Sequence, residues 1–518
     1  HYERTMTADC AHQLSADSYL KGYRTGTDIV SAAFDAASGV ASYQSSFLIP
    51  FLLSTQYFQQ AEIRKASADG LNEVFKAYTD LGLFNLDLIR RSLDGAVAAA
   101  ERYAQSLFAD AAAALAKTFS TGNPCPLVDI VHQQGALLAL VAHGYPRAIQ
   151  GIADEFGFHF ELGNHPLVDE TERFRLYRVA PTYLGVEFHS YRMPILILPP
   201  YVLGANILGF LPQEERSYAH CFANQGIPTY IRILKDIATC EPLQTMSAED
   251  DARDTRRFCE TIRQRHAKAV TLNGYCQGGF NALCNLLSGE LDGLVDAFIT
   301  CVSPMDGTRS RGLSGFLKQL PARFNDLDYG TKTLPNGNRV ADGQLMGWVY
   351  KLKSIETESP LAAYFRDLAM LNRTGGDAGS ISKTAAALNY WLGYERMDLP
   401  LAITEMSFAS FNTPIADDGT LPVRLFGKRL NLKRIKERGI PWLICYGIHD
   451  DLVEKDTALA PLDFVPAEVT PFPKGHVAIA TSWSHPASAC ALHTRFGEGQ
   501  HRGPVRFQLD LDETPDHA

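Results

Sequence analysis

The stretch Ala269–Gly279 reads Ala-Val-Thr-Leu-Asn-Gly-Tyr-Cys-Gln-Gly-Gly, and it decides the fold. Its apolar beginning, Ala269–Leu272, predicts a buried strand, and a helix-like run follows the glycines directly. Cys276 stands between the two, with Gly274 and Gly278 two residues away on either side. A nucleophile on a sharp strand-to-helix turn needs small neighbours there, because the backbone is strained and the helix passes close to adjacent strands.

This stretch therefore predicts a nucleophile elbow with Cys276 at its tip. Gly279 adds room for the helix to pack closely. A thiol at a helix N-terminus is converted more readily to thiolate, because the helix dipole and the free N–H groups favour negative charge. The alternative is that Cys276 is a buried structural cysteine in a glycine-rich turn.

Further short apolar runs follow one another at helical spacing, each closed by Gly or Pro. Apolar runs of this length that alternate with helices are typical of parallel strands covered on both faces. The sequence thus predicts an α/β fold around a largely parallel sheet. The runs are Ile195–Leu198, Thr229–Leu234, Ala297–Val302 and Trp442–Tyr446.

Changes in composition and in the pattern of apolar residues divide the chain into five predicted segments. The first is a helical region in which Leu86, Ile89, Leu93 and Val97 begin an amphipathic stripe that continues to Leu115. That helix packs on its own domain or, alternatively, pairs with a partner chain or an apolar surface. The segments are the helical N-terminal region 1–180, the core 181–303, a cap insertion 304–438, the second part of the core 439–502 and a polar tail 503–518.

A thiol nucleophile needs a base and a group that orients the base. In folds with such an elbow the chain order is nucleophile, acid, histidine, so both partners are expected late in the chain. Asp450 lies three residues after Gly447, the glycine that closes an apolar run, and His476 follows Gly475. The alternatives are Asp451 and Asp306 for the acid, and His449, His485 and His501 for the base.

The oxyanion of an acyl-transfer reaction needs two backbone N–H donors. The N–H of Gln277, directly after the nucleophile, is the first candidate. The second is expected in the turn after the run Ile195–Leu198, where the two prolines that follow have no N–H. The candidates there are Tyr201 and Val202.

These motifs together resemble the polyhydroxyalkanoate synthases. The box GYCQGG matches their Gly-x-Cys-x-Gly-Gly, and the run Leu196–Pro200 is similar to their strand ending in Pro-Pro. Asp450–Val453 resembles their Asp-His-Ile-Val, and Gly475–Ala478 resembles their Gly-His-Ile-Ala. The chain departs from the family at Lys235–Ala238, where the family has Trp followed by Pro, at Phe411-Asn412 in the cap, and at Glu454, which replaces a proline.

The resemblance implies an α/β-hydrolase fold with a cap insertion and a helical N-terminal region. It implies Cys276 as the acyl acceptor, His476 as the base and Asp450 as the acid. It also implies 3-hydroxyacyl-CoA as the substrate and a polyester chain or granule as a partner. The scattered single cysteines suit a reducing cytoplasm, where granule association is expected, and a homodimer through the cap or the N-terminal helix is a further expectation.

Composition excludes several other functions. The 518 residues carry a net charge of −10 without a long Lys/Arg run, which argues against nucleic-acid binding. The ten cysteines include no Cys-x-x-Cys pair, so neither a zinc ribbon nor a disulfide framework is expected, and no metal or cofactor is implied. The most apolar short stretches, Phe47–Leu53 and Ala136–Ala142, are far shorter than the roughly 20 residues of a transmembrane helix.

Three functions remain open. The first is an acyltransferase that forms a Cys276 thioester from 3-hydroxyacyl-CoA and passes the acyl group to a hydroxyl. The second is a thioesterase, esterase or polyester depolymerase with the same triad, since water can take the place of the hydroxyl. The third is a non-catalytic protein that coats granules or acts as a scaffold.

Overall fold

The computed structural model describes residues 2–121, 125–373 and 381–512, with side chains described from residue 27 except at 121 and 125–127. Two compact units are present. One comprises His1–Thr55, Tyr78–Ile152 and Ser354–Asn389, and the other Gln56–Ala77, Ala153–Lys353 and Tyr390–Ala518.

The first unit is helical. Its core is formed by Leu137, Val141, Tyr145, Tyr364 and Leu368, which are all buried. The predicted helix with an apolar stripe is present as part of a longer one, Leu71–Thr121. The stripe itself is largely in contact with solvent: Leu86, Ile89, Leu93 and Val97 are each more than half exposed.

The second unit contains an eight-stranded sheet of order β1-β2-β4-β3-β5-β6-β12-β13. Across the sheet, each strand from β4 through β3, β5, β6 and β12 to β13 is parallel to its neighbour. Strand β2 is antiparallel to both β1 and β4. Strands β3, β5 and β12 are buried along their whole length because both of their faces are covered. The strands are β1 Leu167–Glu170, β2 Phe174–Arg178, β3 Ile195–Leu198, β4 Thr229–Leu234, β5 Val270–Tyr275, β6 Val295–Cys301, β7 Thr331–Thr333, β8 Arg339–Ala341, β9 Leu399–Pro400, β10 Thr420–Leu425, β11 Lys428–Asn431, β12 Trp442–Gly447, β13 Glu468–Phe472, β14 Arg495–Phe496 and β15 His501–Arg502.

The α-helices follow the strands of the sheet and fill the segments between them. They are α1 Tyr2–Asp69, α2 Leu71–Thr121, α3 Cys125–Ala139, α4 Tyr145–Gly151, α5 Tyr218–Ala223, α6 Glu241–Gln244, α7 Ala248–His266, α8 Gln277–Ser288, α9 Leu313–Gln319, α10 Gly343–Lys353, α11 Ile355–Glu358, α12 Pro360–Arg373, α13 Lys383–Tyr394, α14 Leu401–Asn412, α15 Lys433–Glu437, α16 Lys455–Ala458 and α17 Pro504–Leu511. Among the described residues, no helix is both long enough and apolar enough to span a membrane.

The fold is the predicted α/β-hydrolase fold. When the eight strands of this sheet are numbered by their order in the chain, their order across the sheet is 1-2-4-3-5-6-7-8. Cys276 directly follows the fifth of them, β5. The predicted runs Ile195–Leu198 and Thr229–Leu234 are strands with the same bounds, and the ends of the other three differ from the prediction by at most three residues.

Three segments differ from the prediction. The region 1–180, expected to be helical, ends in the strands β1 and β2, and the region 304–438 contains the short strands β7 to β11. The antiparallel strands β1 and β2 are short and carry charged residues such as the exposed Arg175, so their period-2 signal is weak. Within the predicted polar tail, Pro504–Leu511 is a helix that begins at a proline and buries Val505, Gln508 and Leu509, whose spacing puts them on one face.

Candidate active site

Cys276 occupies the turn between β5 and α8. Its φ of 51° and ψ of −127° lie in a region that residues with a side chain rarely adopt. The Cys276 N–H donates to the carbonyl of Cys301 at 2.8 Å, so the strained turn remains tied to β6. Strained backbone of this kind concentrates at functional sites, where the surrounding structure holds it in place.

The glycines beside Cys276 are required by close packing. A Cβ on Gly278 would lie well inside 3.0 Å of the carbonyl oxygens of Leu198 and Pro199. A Cβ on Gly274 would meet the backbone of Gly279 in the same way. Helix α8 therefore begins in direct contact with the end of β3, which brings the elbow and the loop after β3 together.

We expect Gly278→Ala to lower the free energy of unfolding by about 1–3 kcal/mol, because backbone must shift to admit the methyl group. Urea denaturation followed by circular dichroism measures this loss. The matched control is Gly315→Ala, a helical glycine with nothing within 4 Å of the added Cβ. Equal urea midpoints for the two variants would contradict the packing argument.

The structure brings His476 and Asp450 to Cys276. The His476 Nε2 atom lies 3.2 Å from Cys276 Sγ, and Nδ1 lies 2.8 Å from Asp450 Oδ2. The other oxygen of Asp450 accepts the backbone N–H groups of Leu452 and Val453, both at 2.9 Å. The Asp450 side chain is fully buried, so its carboxylate is fixed from both sides and orients the imidazole.

The alternative acids and bases make other contacts. The Asp451 side chain is 83% exposed. Asp306 caps the turn at Thr308 and lies 3.3 Å from Arg309. Of the rival histidines, His449 is exposed, His485 lies 3.9 Å from Glu215, and the ring of His501 is 3.2 Å from the Val469 carbonyl.

The surroundings of His476 make its imidazole more basic than usual. Burial by itself lowers the pKa of His476, but the Asp450 carboxylate, Cys276 and the hydrogen bonds to both hold this pKa well above its ordinary value. An imidazole of this kind readily takes a proton from the thiol it contacts.

The raised pKa of His476 predicts a pH-dependent contribution to stability. A group whose folded pKa lies above its unfolded value stabilises the fold fully below the unfolded pKa, about 6.5 for histidine, and loses this contribution as pH rises through the folded pKa. The difference in unfolding free energy between the wild type and His476→Gln should therefore be largest below about pH 6.5 and shrink at higher pH. Urea midpoints measured from pH 5 to 9 test this, with the exposed His449→Gln as control. A pH-independent difference for His476→Gln would contradict the linkage.

The candidate oxyanion donors lie at one edge of the sheet. Gln277 is the first residue of α8, where backbone N–H groups have no partner within the helix. Tyr201 and Val202 lie in the loop after β3, and β3 pairs with β5 so that Leu198 is opposite Gly274. The Gln277 side chain points elsewhere and donates to Ser407 Oγ. The role of these N–H groups stays a prediction.

A buried polar network beneath this loop was not foreseen. The Tyr201 hydroxyl donates to Asp251 and accepts from Arg232 at 3.0 Å, and Arg232 pairs with Asp251 at 2.7 Å. Asn285 of α8 also donates to Asp251, at 2.7 Å. The network thus ties the loop after β3 to the helix that follows Cys276. The sequence signal was Arg232, a charged residue inside the apolar run Thr229–Leu234.

Among the described residues, no group of three or more His, Cys, Asp or Glu side chains could hold a metal ion. The unit presents a thiol, an imidazole and a carboxylate in line. This arrangement can form and resolve a covalent acyl intermediate.

No family model and no curated protein matches the chain. Solved structures are similar to it at low identity, with TM-scores below 0.5. They include the proline iminopeptidase of Mycobacterium smegmatis, which is 11% identical with a TM-score of 0.35 over 67% of this chain and 99% of that one. A carboxylesterase of Nitrososphaera gargenis is 12% identical, with a TM-score of 0.30 over 61% of this chain and 92% of that one. The thioesterase domain from the curacin biosynthetic pathway is 12% identical, with a TM-score of 0.33 over 68% and 99%.

Proposed function

We propose that this protein is an acyl-transfer enzyme that forms a thioester on Cys276 from an acyl-CoA donor and passes the acyl group to a hydroxyl acceptor. The contact that carries this proposal is the line Asp450–His476–Cys276, with distances of 2.8 and 3.2 Å. In chain order and contacts, these residues match a nucleophile, its base and the acid that orients the base.

The proposed reaction has two balanced steps. Cys276 gives its proton to His476 and its sulfur bonds to the acyl carbon; the bond to the CoA sulfur breaks, and His476 protonates the departing thiolate. The exchange of one thioester for another is nearly isoenergetic, so the acyl group can wait on the enzyme. A hydroxyl then attacks the acyl carbon, His476 takes its proton, an ester forms and Cys276 regains its thiol.

The substrate class comes from the resemblance to the polyhydroxyalkanoate synthases. On that resemblance the acyl donor is 3-hydroxyacyl-CoA, the acceptor is the hydroxyl of a growing polyester, and the protein works in the cytoplasm at a polyester granule. Dimerisation through the cap or the N-terminal helix belongs to the same proposal, as does the absence of a cofactor.

Hydrolysis is the second candidate function. The same triad releases a free acid when water reaches the thioester. The departures from the synthase pattern at Lys235–Ala238 and Glu454 favour this alternative, because they are differences from a polymerising family and leave unchanged the triad that hydrolysis needs. A non-catalytic granule or scaffold role is the third candidate.

One experiment separates the three functions. The purified full chain is incubated with 3-hydroxybutyryl-CoA, free CoA thiol is followed, and the products are identified. Thiol release with ester-linked oligomers supports the proposal, whereas release with free 3-hydroxybutyrate assigns a hydrolase. No thiol release, together with no alkylation of Cys276 by iodoacetamide near neutral pH, would leave only the scaffold role. The control is Cys240→Ala, which removes a thiol outside the triad. Cys240 is half-buried and its thiol donates a hydrogen bond to the Glu172 carbonyl.

The Tyr201 hydroxyl provides a test of the oxyanion loop. Tyr201→Phe keeps the ring and the Arg232–Asp251 pair but removes the hydrogen bonds that hold the loop to this pair. We expect kcat to fall about tenfold or more with KM and the rate of Cys276 alkylation unchanged, because misplaced backbone donors affect only the oxyanion. Tyr230→Phe, which loses a 2.7 Å hydrogen bond to His266, is the matched control. Equal effects of the two variants on kcat would rule out a positioning role.

A further inference from the structure

A cavity of about 440 Å³ lies beside the loop that follows β3. Its walls include Pro199, Pro200 and Tyr201 of this loop, together with Ile233 and Leu234 at the end of β4. Pockets of roughly 300–1,000 Å³ are of the size that binds small molecules. The carboxyl ends of parallel strands are also where open α/β sheets bind their ligands.

The loop that forms one wall of the cavity follows β3, and β3 is the neighbour of β5, the strand that leads to Cys276. Strands β3 and β5 are neighbours, with Leu198 opposite Gly274, and adjacent strands lie about 4.8 Å apart. The carbonyl of Pro199, a residue of the cavity wall, occupies the space that a side chain on Gly278 would need. The nucleophile and the cavity therefore share the loop after β3.

The walls are chiefly aromatic and aliphatic. Phe156, Phe160, Phe174, Tyr390 and Met397 line the cavity along with the two prolines. Arg232 also lies in the wall, but its guanidinium is 2.7 Å from Asp251 and is neutralised there. Such walls select an uncharged, largely apolar group and not the phosphates of CoA.

The cavity has two polar parts, the pair of His159 with Glu161 at 3.0 Å and a corner formed by Glu395 and Asn206. Glu395 accepts a hydrogen bond from Asn206 at 3.1 Å, and both side chains line the cavity. Burial raises the pKa of Glu395, although the Asn206 hydrogen bond and Arg396 oppose this shift. The carboxyl group of Glu395 can accept a hydrogen bond from a hydroxyl, and the second N–H of the Asn206 amide can donate one to a carbonyl oxygen.

The segment 390–397, which contributes Tyr390, Glu395 and Met397 to the cavity wall, is hydrogen-bonded to the same loop. Met397 N–H donates to the carbonyl of Val202 at 3.0 Å, and Trp391 Nε1 donates to the carbonyl of Leu203 at 2.9 Å. A ligand held here would thus lie between this segment and the candidate oxyanion loop.

We propose that this cavity receives the aliphatic part of the acyl group and favours 3-hydroxyacyl chains longer than four carbons. The proposal rests on the acyl-transfer function proposed above. The aromatic walls take the methylene chain, and the Glu395 corner takes a hydroxyl or carbonyl oxygen. Each methylene that leaves water for such a wall adds to the preference for the longer substrate.

The test fills the cavity. We expect Met397→Trp to lower kcat/KM for 3-hydroxyoctanoyl-CoA about 10- to 200-fold relative to 3-hydroxybutyryl-CoA, as lost apolar contacts do in other pockets. Ala205→Leu, at another lining position, is a second filling variant with the same expected direction. Leu392→Trp is the matched control, since Leu392 is 44% exposed and is not part of the cavity wall. All variants are checked for wild-type alkylation of Cys276.

The outcomes are distinct. An unchanged ratio between the two substrates in both filling variants, or an equal loss for both substrates, overturns the cavity assignment and leaves the acyl-transfer function standing. If the wild type turns over neither thioester, nor the corresponding p-nitrophenyl esters, the proposed function falls and the acyl assignment falls with it. A selective loss for the longer chain supports both.

Discussion

Replacing Cys276 with alanine is expected to lower the rate of CoA release from 3-hydroxybutyryl-CoA by at least about 10⁴-fold, because no atom remains that can form the acyl–enzyme bond. Cys276 Sγ is the atom that His476 Nε2 contacts at 3.2 Å, so its removal leaves the base without a proton to take. Single-turnover measurements of CoA release, with mass spectrometry of the protein for the acyl adduct, give this number directly.

The matched control for this prediction is Cys284→Ala in the helix that follows the elbow. Cys284 is fully buried and burial raises the pKa of its thiol, so it represents a structural cysteine of the same region. The control is expected to retain activity and the adduct mass. If Cys276→Ala released CoA at the wild-type rate, the reading of Cys276 as a buried structural cysteine would be correct instead.

The parallel strands could be predicted from sequence because burial on both faces leaves an uninterrupted apolar run. This holds for β3, β4 and β12, whose beginnings agree with the prediction to the residue. The antiparallel strand β2, which lies between β1 and β4, could not be found in the same way, since exposed Arg175 alternates with buried Phe174 and Leu176 over only five residues. Short half-buried strands carry too few periods for their alternation to stand out.

The candidate triad could be predicted because each member has a local sequence signature. Asp450 follows a strand-closing glycine and His476 follows another glycine. The network of Arg232, Asp251 and Tyr201 has no such signature, because its members come from a strand, a helix and a loop that only the fold brings together. The cavity beside this loop is assembled from still more distant segments and is likewise invisible in the sequence.

The exposed stripe of α2 shows the limit of periodicity. Spacing predicted an amphipathic helix, and the helix is present. The same spacing does not specify which face the rest of the unit covers. Leu86 and Val97 lie on the solvent side, whereas Leu88 and Ala96 are buried. When a helix carries apolar residues on two faces, its sequence does not specify which face is buried. The packing of neighbouring helices determines this.

The second large effect is expected for Asp450→Asn, which should lower kcat by about 10³- to 10⁴-fold while leaving the fold intact. The Asp450 carboxylate accepts from Leu452 and Val453 with one oxygen and contacts His476 Nδ1 with the other. The amide has a single oxygen. If that oxygen stays with the backbone N–H groups, the amide NH₂ faces Nδ1, stabilises the wrong tautomer of His476 and places a proton on the nitrogen that must accept one from Cys276.

Asp451→Asn is the matched control because Asp451 is the neighbouring carboxylate and its side chain is 83% exposed. Its kcat is expected to stay within about twofold of the wild type, since exposed substitutions rarely alter a buried site. The pH profile of kcat adds a readout that a loss of packing would not produce. The Asp450 carboxylate raises the pKa of His476, so this pKa should be lower in Asp450→Asn. The unprotonated imidazole that acts as the base then persists to lower pH, and the acidic limb of the profile should move to lower pH. An equal loss in both aspartate variants, or an unmoved acidic limb, would assign the orienting role to another group.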